Sequence, residues 1–133
     1  MQYRDYGNEG YKVSAFGMGC MRVPHVKDEH GNKIIQREEA IKMIRYAADH
    51  GVTYFDSARM YFNGDCDALL GEALAGGYRE KVKVVSKIPP RFVNSEEEFN
   101  STLDDMLKNV NSNTLSGEDA FKLYDTYGFP IEM

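Results

Sequence analysis

The hydrophobic pattern of the 133-residue chain changes period several times, and each change marks an element. Near the start, "MQYRDYG" and "YKVSAFG" flank "NEG", with Gly7 and Gly10 bracketing the turn, which predicts a β-hairpin. "AFGMGC" follows as a short, glycine-rich strand, and "PHVKDEHGNK" reads as a polar loop. From about Gln36 to His50, Ala40, Ile41, Ile44, Ala47 and Ala48 recur at helical spacing, and Gly51 supplies the stop. "VTYFDSA" is the next strand. Asp65 is placed to cap a second helix, which carries Ala68, Leu69, Ala73 and Leu74 and ends at Gly76 and Gly77. "KVKVVSK" is a third strand, cut off by Pro89 and Pro90. Ser95 followed by Glu98 makes a capping box for a third helix, whose apolar face is Phe99, Leu103, Met106, Leu107 and Val110.

The order is a hairpin and then strand–helix three times over. Alternation at these lengths argues for right-handed parallel βαβ units, hence an α/β fold. Periodicity alone does not separate an open doubly wound sheet from a piece of a (β/α)8 barrel. In both, functional groups belong at the C-terminal ends of the strands. Asp56 and Lys87 sit at such ends, and Tyr61 follows Asp56 closely.

Composition narrows the class. A hydrophobic content of 42% is enough for a core, and a mean hydropathy of -0.53 fits a soluble chain. No run approaches the roughly 20 apolar residues of a membrane helix. The net charge is -5, with basic residues scattered rather than striped, which disfavours a nucleic-acid surface. The polar N-terminus does not read as a signal peptide. Two cysteines, Cys20 and Cys66, make no disulfide framework, so the expected setting is a reducing cytoplasm. Neither they nor His25 and His30 have metal-ligand spacing, and no metal site is expected. His50 reads as a favourable cation at a helix C-terminus. "GMG" lacks the further glycine and helix start of a dinucleotide fingerprint.

Taken together, "KVSAFGMGCMRVP", "GVTYFDSARMY", "LLGEAL" and "YREKVKVVSK" resemble the first part of the aldo/keto reductases, over about residues 1–110. The resemblance is to the bacterial branch that reads "GCMR-P" after the first strand. It implies an N-terminal hairpin plugging the bottom of a (β/α)8 TIM barrel, followed by three βα units of that barrel. It also implies an oxidoreductase that reduces a small carbonyl substrate with hydride from NADPH. By that resemblance Tyr61 is the general acid, Lys87 the cation that tunes it, and Asp56 the carboxylate that pairs with Lys87. Gly19, Cys20 and Met21, with Asp56, lie toward the nicotinamide end of the cofactor. A free tyrosine with a pKa near ~10 is a reluctant donor at neutral pH, which is the physical need for a nearby cation.

The resemblance also breaks. The family places a histidine at the end of its fourth strand, and no histidine follows His50 here. Residues 111–133 instead read as a short helical tail, with Ser116 and Asp119 as a capping pattern, Phe121, Leu123, Tyr124 and Tyr127 at helical spacing, and Gly128 and Pro130 as the stop. "LSGEDAFKLYDTYGFPIEM" resembles a segment of bacterial alanyl-tRNA synthetase over about 20 residues. The expectation is an incomplete barrel joined to an unrelated tail, a truncated reductase inactive by itself. Two other functions follow from the same features: a non-enzymatic fragment that self-associates through open sheet edges, and an RNA-linked module carried by the tail.

Overall fold

The computed structural model describes residues 1–89 and 93–110. Strands β1 (Tyr3–Asp5) and β2 (Lys12–Ser14) form the N-terminal antiparallel hairpin. Three parallel strands follow at longer intervals: β3 (Met18–Gly19), β6 (Tyr54–Asp56) and β7 (Lys83–Val85), with β6 in the middle. Between β3 and β6 lie a second hairpin, β4 (His25–Lys27) with β5 (Lys33–Ile35), and helix α1 (Arg37–Asp49). Helix α2 (Asp65–Ala73) connects β6 to β7, and α3 (Glu96–Val110) follows β7.

The β4–β5 hairpin occupies the stretch that the sequence suggests is a loop. Its turn is built by Asp28, whose carboxylate accepts from the backbone N–H groups of His30 and Asn32 and from the Asn32 side chain. That arrangement replaces the apolar alternation that usually announces a hairpin. α1 agrees with its expected span within a residue at each end. α2 departs from expectation at its start: its N-cap is Gly64, in the left-handed region at φ 95°, and no side chain caps it. Asp65 is instead the first helical residue and pairs with Arg37 at 2.9 Å, while the same guanidinium holds Glu72 at 2.6 Å. Of the capping box at α3, one half forms: Ser95 Oγ accepts from the Glu98 N–H at 3.1 Å, while Glu98 accepts from the Asn94 N–H. The predicted helix over the tail, and the side chains of Met106, Leu107 and Val110, lie outside the described residues.

Strand period two divides the sheet into two faces. Phe55 is completely buried and points with its register partner Val84 toward α1 and α2. Ile44, Leu69, Leu70 and Ala73 fill that layer, with Cys20 and Cys66. On the opposite face Tyr54 is in register with Lys83, and Asp56 with Gly19 and Val85. The N-terminal hairpin covers the beginning of this second face. Tyr6 stacks on Tyr11 at 5.4 Å and lies 5.6 Å from the Tyr54 ring, and Lys83 Nζ stands 4.2 Å above the Tyr11 ring. The other end of that face holds Asp56, whose side chain is partly exposed. A smaller cluster of Ile88, Phe99, Val93 and Leu103 seats α3.

Candidate active site

The site begins with register. Asp56 ends β6 on the face away from the helices, and Lys87, two residues beyond Val85, falls on the same face of the β7 strand as it runs on. The ladder continues past the formal strand ends: the Ser57 N–H donates to Val85 O at 2.7 Å, and the Arg59 N–H to Lys87 O at 2.9 Å. Lys87 is thus held by its backbone beside Asp56, and the side chains meet. Lys87 Nζ donates to Asp56 Oδ2 at 2.6 Å and to Ser57 O at 2.7 Å. The pair is partly shielded, with side chains 21% and 35% exposed for Lys87 and Asp56. In such a setting an ion pair is screened less than at an open surface.

Tyr61 completes a three-residue group. It opens the 3₁₀ turn Tyr61–Gly64, its N–H donating to Ala58 O at 2.9 Å, and its half-buried ring lies 5.3 Å from Lys87 Nζ. The backbone just after it is unusual. Phe62 (φ 52°, ψ 38°) and Asn63 (φ 56°, ψ 32°) both adopt the left-handed conformation. Asn tolerates that region, but for Phe it is a strained choice costing on the order of 1–3 kcal/mol. Phe62 is held there by packing against the main core and by an edge contact with His25 at 5.4 Å.

The three residues expected at the nicotinamide end are arranged differently from one another. Gly19, in register with Asp56, has open space where a Cβ would stand, so its backbone can be approached closely. The Cys20 N–H donates to Asp56 O at 2.8 Å, but the Cys20 side chain is completely buried against Cys66, whose thiol donates to Cys20 O at 3.5 Å. Contact with the neighbouring thiol and burial push Cys20 well above the ordinary thiol range, whereas the hydrogen bond from Cys20 lowers Cys66. Met21 is half exposed and lines a cavity of about 300 Å³ together with Met60, Tyr61, Phe62 and the tip of the β4–β5 hairpin. A larger concavity of about 650 Å³ runs along the exposed acidic flank of α3, between Glu96 and Lys108, and contains none of these groups.

Beneath the site lies a polar cluster that pattern reading misses. Asp67 is completely buried in the first turn of α2, and its Oδ1 accepts from Ser57 Oγ at 2.6 Å and from Ser86 Oγ at 3.0 Å. The available signal was an acid on an apolar helix face, three and seven residues before the core positions Leu70 and Leu74. Among the described residues no group of three or more His, Cys, Asp or Glu side chains could hold a metal ion, and no helix is long and apolar enough to cross a membrane.

Comparison with known proteins bears on the family and the fold. The model of the aldo/keto reductase family matches residues 15–116, most of the chain, and the chain belongs to that family. A probable aldo-keto reductase of Glycine max is 35% identical over 81 residues, covering 61% of this chain and 22% of the soybean protein. Among solved structures, an aldo-keto reductase from Bacillus halodurans in its holo form superposes with a TM-score of 0.69 at 18% identity, covering 96% of this chain and 47% of that one. Another, from Klebsiella pneumoniae in complex with NADP and acetate, gives 0.64 at 24% identity, covering 86% and 43%. The chain therefore spans less than a quarter of the soybean relative and just under half of each of these structures.

A second similarity is real and wider than the 20 residues expected. The alanine–tRNA ligase of Acholeplasma laidlawii is 50% identical over 58 residues, covering 41% of this chain and 6% of the ligase. That of Lactiplantibacillus plantarum is 34% identical over 102 residues, covering 69% and 11%. Residues 15–116 leave less than a quarter of the chain outside them, so the longer ligase alignment overlaps the reductase-matched stretch.

Proposed function

We propose that this chain is the N-terminal portion of an NADPH-dependent carbonyl reductase, an incomplete (β/α)8 barrel in which Tyr61, Lys87 and Asp56 form the proton-delivering group. The observation that carries the reading is the Lys87 ammonium, hydrogen-bonded to Asp56 at 2.6 Å and facing the Tyr61 ring at 5.3 Å. Reduction leaves an oxyanion on the substrate, and a proton must reach it from within hydrogen-bonding distance. Tyr61 supplies that proton from its hydroxyl. The Lys87 ammonium, 5.3 Å from the ring, is the positive charge placed to offset the charge left on Tyr61 as the proton departs. Asp56 and the Ser57 carbonyl orient the ammonium, so that little reorganisation is needed when charge develops.

NADPH fits the residues present. Gly19 leaves room beside Asp56 and Met21 borders the adjoining cavity, whereas the Cys20 side chain is buried and its N–H and carbonyl are taken up by Asp56 and Cys66. When bound, the nicotinamide supplies the hydride. The related Klebsiella structure with NADP supports the choice of cofactor.

Titrating the chain with NADPH, following cofactor fluorescence, tests the reading. A saturable change that weakens in Lys87→Met, together with carbonyl-dependent NADPH oxidation that disappears in Tyr61→Phe, is the expected result. No fluorescence change at high NADPH concentration would sink it.

A further inference from the structure

We propose that Asp67 is the positioning residue of the Asp56–Lys87 pair, acting through the hydroxyls of Ser57 and Ser86. Its Oδ1 accepts from both, at 2.6 and 3.0 Å. Those serines are the chain neighbours of the two paired residues: Ser57 follows Asp56, and Ser86 precedes Lys87. Ser57 also presents its carbonyl to Lys87 Nζ at 2.7 Å and its N–H to Val85 O at 2.7 Å. One carboxylate oxygen thereby ties the C-terminal ends of β6 and β7 to each other and to the first turn of α2.

The location argues against a merely structural buttress. Asp67 has no exposed surface, and its Oδ2 has no hydrogen-bond partner in the protein. Burying a carboxylate so sparingly satisfied costs free energy that an apolar residue would not, even with the favourable helix N-terminus nearby. Cys66, Leu69 and Leu70 already pack this face of α2 at full burial. What the carboxylate adds, and a leucine could not, is a fixed acceptor for two hydroxyls whose backbones carry Asp56 and Lys87. The inference rests on the reductase reading only for the use made of the pair.

The test follows the Lys87 ammonium itself, by solvent exchange of its NζH3 protons in the full chain labelled with 15N-lysine, the resonance being assigned by its loss in Lys87→Met. The wild-type signal is expected to be protected. Asp67→Leu removes both acceptor contacts and should speed exchange by about tenfold or more, each hydroxyl contact being worth roughly two- to tenfold. Asp67→Asn keeps a carbonyl oxygen for both hydroxyls and should stay within about twofold of wild type. Amide exchange at Phe55, Leu69 and Leu70 should be unchanged in both. If Asp67→Leu does not fold, Ser86→Ala removes a single contact and should speed Lys87 exchange by about two- to tenfold.

An unprotected wild-type ammonium, unchanged exchange in a folded Asp67→Leu or Ser86→Ala protein, an Asn variant as fast as Leu, or core amides accelerating in step with Lys87 would each overturn the proposal. The exchange measurement needs no cofactor. A chain that gives no NADPH response yet shows the predicted Lys87 pattern refutes the reductase reading and keeps this one.

Discussion

Breaking the Asp56–Lys87 pair should cost stability, and the structure sets the size. An exposed ion pair is worth about 0–1 kcal/mol, whereas removing one partner of a fully buried pair costs about 3–5 kcal/mol. Lys87 and Asp56 lie between these limits, 21% and 35% exposed, and Lys87 makes a second hydrogen bond to the Ser57 carbonyl. Lys87→Met retains much of the aliphatic stem but leaves Asp56 without its cation, which points to a loss of about 1.5–2.5 kcal/mol. Asp56→Asn keeps an acceptor for the ammonium and should lose about 1 kcal/mol.

A double-mutant cycle isolates the pair itself. With the two side chains in direct contact, a coupling of about 1 kcal/mol is expected. Urea unfolding of the four proteins, followed by far-UV circular dichroism, gives each free energy, and unchanged slopes would show that the unfolded states are comparable. A coupling below about 0.3 kcal/mol, within the range of independent sites, would refute the claim that these side chains are locked together. Raising the salt from 0.05 to 0.5 M should reduce the coupling by less than half, because shielding by the protein limits ionic screening.

Three further perturbations read other parts of the fold. Gly51 ends α1 at φ 89°, and an added Cβ would stand 2.8 Å from the Tyr3 hydroxyl; Gly51→Ala should cost about 1–2 kcal/mol, most of it backbone strain because the exposed Tyr3 can move aside, and should lower Tm by several degrees in a thermal melt. Burial raises Tyr54 above its ordinary 10.0, with the Tyr6 hydrogen bond adding to it, and burial raises Tyr11 as well. The folded tyrosines therefore hold protons that the unfolded chain releases, so stability is complete below pH 10, falls as pH rises beyond it through the raised values, and falls less steeply in Tyr54→Phe; tyrosinate absorbance and urea midpoints between pH 9 and 12 check the sign. Ser95→Ala removes the side-chain acceptor for the Glu98 N–H and should cost about 0.5–2 kcal/mol, visible as faster amide exchange in the first turn of α3 with little change at Phe55.

How much of this could be read from the sequence depended on whether a signal was periodic or positional. Helix α1 was legible because its buried residues, Ala40 and Ile44, sit on an uninterrupted helical stripe with glycine at the end. The strand-end rule led to Asp56 and Lys87 because a parallel sheet puts both C-terminal ends on one rim, and the family resemblance added Tyr61. The β4–β5 hairpin was illegible for the opposite reason: Val26 and Ile34 face solvent, so no apolar alternation marks its strands, and Asp28 makes its turn through hydrogen bonds that composition does not encode. Asp65 was mistaken for a cap because its side chain is drawn to Arg37, 28 residues away, and Gly64 takes the capping position through its backbone conformation alone.

Asp67 is the most informative omission. A buried carboxylate contradicts the apolar helix face that houses it, and local inconsistencies of that kind concentrate where a fold serves a purpose other than stability. Its partners, Ser57 and Ser86, lie 10 and 19 residues away and are unremarkable in isolation. Only folding brings both to one oxygen and shows that each adjoins a member of the ion pair. A sequence can thus announce the groups that stand at strand ends, whose place is predictable. The groups that hold them in place become visible through three-dimensional convergence.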